Sequence, residues 1–131
     1  MKKKYLLVAG VAALLVVGVG AWAASEGPGS EADPVVSKSY VDAKASFAPV
    51  LLGEGQKLLG SEGAEIILRS GEAFAIDNGE NGVSDLTSGK DLMSGDQVAL
   101  NHLLLVPRAD GRGIMALTEA WVMVKGIYDI Q

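Results

Sequence analysis

The chain contains no cysteine. That excludes disulfides, thiolate metal sites, cysteine nucleophiles and anchoring through a lipidated cysteine. It contains a single histidine, His102. A zinc site built on several imidazoles is therefore excluded, and so is the H-x-H pattern with which cupins hold a metal on a β scaffold. No G-x-S-x-G nucleophile elbow occurs, although serine and aspartate are plentiful. Aromatic residues make up only 5% of the chain, which leaves little from which to assemble a multi-aromatic carbohydrate platform. From Val50 onward there is no long helical periodicity. These absences leave little for an enzyme to use.

What is present begins with "MKKKYLLVAGVAALLVVGVGAWAASEG". Lys2, Lys3 and Lys4 precede an apolar run, Leu6 to Ala24, that holds no charge. Ala21 and Ala23 are small residues spaced as at a signal-peptidase site. The stretch 1–24 is expected to be an export signal, or an uncleaved N-terminal anchor, since the run approaches the length that spans a bilayer. Cleavage after Ala23 leaves 108 residues with 8 basic and 16 acidic side chains, a formal balance of −8. So acidic a product is a poor match for nucleic acid or an anionic surface. Membrane contact is expected only through the N-terminal segment. The expected location is extracytoplasmic, secreted or anchored at the cell surface.

Residues 25–34, "SEGPGSEADP", read as a flexible spacer. A short helix is expected over 35–48. Val36, Tyr40, Ala43 and Phe47 are spaced four, three and four apart and share one helical face. Ser37 or Ser39 is the expected cap, and Pro49 the stop. The stripe serves either packing on its own domain or self-association. "KSYVDAK" looks like the strand-to-helix passage near the oligomerising stalks of phage tail fibres, a likeness of only seven residues.

Residues 49–131 carry a different pattern. Twelve of the seventeen glycines fall between Gly53 and Gly126, with short apolar runs between turn signals such as "GEG", "DNGENG" and "RADGRG". That spacing predicts a mainly β domain, a small antiparallel sandwich or barrel. "VALNHLLLV" is apolar on both alternating faces and predicts a central strand. Pro107 is expected to end it, with Asp110-Gly111 as a hairpin corner and Gly113 to Leu117 as the returning partner.

Three groups of residues are candidate sites. His102, with Arg108 and Arg112 close behind it, would suit a pocket at the mouth of the β domain, where arginine reads carboxylate or phosphate. The competing explanation is a core histidine bonded to its surroundings and a local arginine–Asp110 ion pair. Asp77, Asn81 and Asp85 offer oxygen ligands in "DNGENGVSD", with Gly82 where a calcium loop has its glycine. The third position, Gly79, and the twelfth, Ser88, depart from that loop, so a plain Asn-Gly turn competes with calcium, the one cofactor this sequence suggests. Trp121 shares a strand face with Glu119, Met123 and Lys125 and either stacks on a ligand or caps the core. Arg69 and Glu65 share a strand face, where they could pair across the sheet.

The combination of "DPVVSKSYVD", "GAEIILRSGEAFAID" and "NHLLLVPRADGRGI…WVMVKGIYDI" resembles a group of small exported proteins of Gram-positive spore-forming bacteria, from about Asp33 to the C-terminus. The resemblance implies an exported location and a modular layout. It implies no reaction and transfers no catalytic residues. The expected function is a non-catalytic structural or binding module of the cell envelope, able to self-associate or to contact an envelope or extracellular polymer. A small-ligand pocket or enzyme around His102, Arg108 and Arg112, and a calcium-stabilised adhesion module, are the alternatives.

Overall fold

The short apolar runs between glycine turns become ten strands, preceded by one helix, in a computed structural model that describes residues 29–31 and 34–131. The expected signal or anchor and most of the expected spacer lie outside the described residues. Among the described residues no helix is long and apolar enough to cross a membrane. Two compact units divide the chain, Met1–Val36 and Ser37–Gln131, and every element among the described residues lies in the second.

Helix α1 spans Lys38–Ala45. The Ser37 hydroxyl accepts a hydrogen bond from the Tyr40 N–H, so one of the two expected caps is used. The helix is shorter than the expected 35–48. Ser46 is already extended, and Pro49 lies inside the first strand, which draws the chain into sheet pairing before the proline is reached. A proline is tolerated there because that strand is an edge.

Strands β1 (Ala48–Leu52), β3 (Ala64–Ser70), β5 (Val83–Asp85), β6 (Lys90–Leu92), β7 (Leu103–Val106) and β9 (Ala120–Lys125) form one sheet, in the order β1-β9-β3-β7-β5-β6. Strands β2 (Lys57–Gly60), β4 (Ala73–Ile76), β8 (Gly113–Ala116) and β10 (Tyr128–Ile130) form a second, in the order β10-β2-β8-β4. All pairings are antiparallel. The protein is thus mainly antiparallel β, in two sheets consistent with a small sandwich. Strand alternation supplies the core: Ala64, Ile66 and Leu68 of β3, Leu104 and Val106 of β7, and Val122 and Val124 of β9 are buried with Leu52, Leu58, Val83 and Ile114. Each large side chain so buried contributes about 1.5–3 kcal/mol.

The "VALNHLLLV" run is an interior strand only from Leu103. Before it, Asn101 takes φ 64° and donates its N–H to the Leu68 carbonyl at 2.8 Å. Asparagine tolerates this left-handed conformation better than most residues, and the turn breaks the alternation that would have extended the strand. The expected hairpin across Asp110-Gly111 does not form. β7 pairs with β3 and β5, whereas β8 pairs with β2 and β4. The turn after Pro107 therefore carries the chain from one sheet to the other. Gly113 explains part of this choice, since a Cβ there would stand 1.9 Å from the Leu58 carbonyl oxygen. Only glycine lets β8 approach β2 so closely.

Sheet edges are guarded. β4 is covered by the loop around Gln97, bonded through Ala75 N–H to Asp96 and Val98 N–H to Ala73. β6 and β10 have three residues each, and β1 carries Pro49. Short edges and an edge proline discourage strand addition by another chain.

Candidate functional site: polar clusters and an apolar sheet face

Two polar clusters contain the histidine and the arginines singled out from the sequence, and the structure keeps them apart. Asp85 ends β5 with its side chain on the core side, only 3% exposed. One carboxylate oxygen accepts the N–H groups of Thr87 and Ser88, at 3.0 and 3.1 Å. The other lies 2.8 Å from Nδ1 of His102, whose side chain is 30% exposed. Burial pushes the Asp85 carboxyl up. The hydrogen bond from the His102 ring, those from Ser88 and the nearby imidazole charge outweigh it and hold the group below its ordinary value. The Thr87 hydroxyl accepts the Leu103 N–H at 2.9 Å, fixing the same corner to β7. This is a carboxylate–imidazole pair locking a turn to a strand.

The second cluster centres on Arg112, 5% exposed. Its Nε and one Nη donate to the two Asp110 oxygens at 2.8 and 3.0 Å, and the other Nη donates to the Gly82 carbonyl at 2.8 Å. Asn78 Nδ2 adds a bond to Asp110 at 2.9 Å. The Arg112 guanidinium, helped by Asn78 and opposed by partial burial, holds the Asp110 carboxyl below its usual range. The arginine–Asp110 pair expected at the surface exists, but Arg112 is buried and its donors are spent tying two loops together. Arg108 is exposed and lines a shallow polar depression of about 280 Å³ with Asn81, Ser84, Asp91, Pro107, Asp110 and Arg112. His102 does not line it. A second depression of about 380 Å³, beside Glu72 and Leu100, also excludes His102.

Two of the three calcium candidates, Asp77 and Asp85, are likewise engaged elsewhere. Asp77 accepts the N–H groups of Gly79 and Ser94 at 3.0 Å each. Those backbone bonds, Ser94 first, with the Ser94 hydroxyl, lower its pKa. Asp85 is held by the bonds just described. Asn81 lies beside Asn78, whose side-chain Oδ1 accepts the Asn81 backbone N–H at 2.7 Å. Among the described residues no group of three or more His, Asp or Glu side chains converges as for a metal ion. Nor is any buried side-chain nitrogen or oxygen left without a hydrogen-bond partner.

A different surface is unsatisfied. Alternation on β9 turns Trp121, Met123 and Lys125 away from the core. Registered neighbours extend this outer face. Leu51 of β1 lies opposite Trp121, and the two are 44% and 48% exposed. Pro49 pairs with Met123, Met123 with Ile67, and Ile67 with Leu103, giving an apolar row across four strands. Arg69 sits at the β3 bulge beside Trp121. It does not pair with Glu65, whose partner is Lys125 at 3.2 Å. α1 lies against β9. Its Tyr40 and Val41 are exposed, and Phe47 follows at 36% exposure with the Lys125 ammonium over its ring. Of the expected self-association stripe, Val36, Tyr40 and Phe47 are all exposed in the single chain. Leu51 was not singled out from the sequence. The signal was available, because Leu51 and Pro49 alternate with buried Leu52 and half-buried Val50.

Comparison with protein-family models, with curated proteins and with solved structures gives no match.

Proposed function

We propose that this chain is an exported, non-catalytic binding module of the cell envelope that works through the outer face of β1, β9 and β3 and the adjoining α1. One observation carries this reading: Leu51 and Trp121 are registered neighbours, each close to half exposed, and continue into the apolar row Pro49–Met123–Ile67–Leu103. A contiguous apolar patch with a charged rim marks an interaction surface more often than an accident of composition. The residues that could have done chemistry are bonded to one another instead. Export rests on the N-terminal lysines and the uncharged run behind them.

Retention on isolated cell envelopes tests this. The chain beginning at Ala24 is retained, and the double variant Leu51→Ser/Trp121→Ser is lost to the wash. His102→Ala and Arg108→Ala variants remain bound. Loss in Arg108→Ala with retention of the double variant would transfer the function to the polar depression.

Self-association is a second reading, favoured by the exposure of Tyr40 and Phe47. Light scattering at several concentrations decides it, since a dimer or trimer grows in with concentration and a monomer does not. The pocket alternative now rests on Arg108 and its depression. The calcium alternative requires Asp77 and Asp85 to give up the bonds they already make.

A further inference from the structure

Charge on the compact unit is sorted by face. α1 and the outer face of β1, β9 and β3 carry Lys38, Lys44, Arg69 and Lys125, with Asp42, Glu65 and the adjacent Glu119, one positive charge in excess. Lys38 pairs with Asp42 and Lys125 with Glu65, which leaves Lys44 and Arg69 as its cations outside an ion pair among the described residues. The other positions of Ser37–Gln131 hold four basic and ten acidic residues. Net charge alone therefore misdescribes this face. Of the five aromatic residues between Ser37 and Gln131, three (Tyr40, Phe47 and Trp121) are exposed here. Two of them carry a lysine head over the ring, Lys44 over Tyr40 at 5.4 Å and Lys125 over Phe47 at 5.6 Å.

Half-exposed aromatic rings beside Leu51 and Met123, rimmed by lysines on long apolar stems, suit a boundary between hydrocarbon and anionic headgroups. Rings settle at headgroup level while ammonium groups reach phosphate. A second copy is less well matched. A two-fold contact through one patch brings the positive excess of both copies, Lys44 and Arg69 included, into one interface.

We infer that the α1–β1–β9–β3 face docks on an anionic lipid surface, the protein lying flat on the bilayer. This rests on the binding-face reading above and names its partner.

The test uses the full chain carrying Trp22→Phe, so that Trp121 is the only tryptophan, reconstituted in vesicles. Acyl-brominated lipid quenches Trp121 when phosphatidylglycerol is present, at least about twofold more than in phosphatidylcholine alone, and high salt reverses the difference. Lys38→Gln/Lys44→Gln, both exposed on α1, reduces the preference. Equal quenching in the two lipids, or none, overturns the inference. A blue-shifted Trp121 without lipid quenching, with a doubled mass in detergent, overturns the lipid partner but keeps the binding face. A water-exposed Trp121 both on vesicles and on whole envelopes overturns both.

Discussion

The two polar clusters, around His102 and around Arg112, and the face around Trp121 spend their side chains in opposite ways. In the clusters, residues with chemical capability are bound to each other. Asp85 holds two backbone N–H groups and an imidazole, and Arg112 spends its donors on Asp110 and Gly82. On the face, residues with no chemistry to offer, Leu51 and Trp121, stand in water without a partner. A buried polar group that is satisfied stabilises its own fold, whereas an exposed apolar patch gains only when something else covers it. Residue type therefore points to one end of this molecule, and exposure to the other.

The contrast breaks first at Arg112. Arg112→Ala leaves the Gly82 carbonyl and the Asp110 carboxylate without their main donor, and is expected to cost about 2–4 kcal/mol in urea unfolding. A cost near zero would mean the cluster is free to serve a ligand. Asp85→Ala comes next, at about 2–3 kcal/mol, because it orphans two backbone donors and the His102 ring.

The same carboxylates give a signed pH dependence. Asp77, Asp85 and Asp110 have folded pKa values below the ordinary one. As pH falls below about 4, the unfolded chain takes up these protons first, so stability present above that point is lost as pH passes through the lower folded values. Urea midpoints measured from neutral to strongly acid pH should fall there, and less steeply in Asp85→Asn. A midpoint that rises on acidification would contradict the assignment.

Smaller effects sharpen the other side of the comparison. Leu51→Ser/Trp121→Ser should change stability by no more than about 0.5–1 kcal/mol, as surface positions do, while abolishing envelope retention. A large loss of stability would show that the face belongs to the fold. Exchanging chelator for calcium should move Tm least of all, since a ligand stabilises only by binding the folded state, and Asp77 and Asp85 are already engaged. A rise of several degrees would return the Asp77–Asp85 loop to consideration.

Parts of this were legible in the sequence. Glycine turns between short apolar runs announced a β domain, and the two-sided apolar character of Leu103 to Val106 announced an interior strand. Ser37 was legible as a cap, and the alternation around Trp121 put Met123 and Lys125 on its face. Pairing was not legible. The Asp110-Gly111 turn reads as a hairpin corner locally, and only the close approach of Gly113 to Leu58 shows why β8 leaves for the other sheet. The partner of His102 is seventeen residues away across a strand pair, a distance no local pattern encodes. Charge distribution was also hidden, because a sum over the chain erases differences between its faces.

The most direct measurement is hydroxyl-radical footprinting of the protein free in solution and bound to cell envelopes, reading Trp121 and His102 in the same sample. The face is expected to close, so Trp121 and Met123 become protected on envelopes while His102 oxidises at its solution rate. Protection of His102 with Trp121 still reactive would contradict the account and place the function at the polar corner.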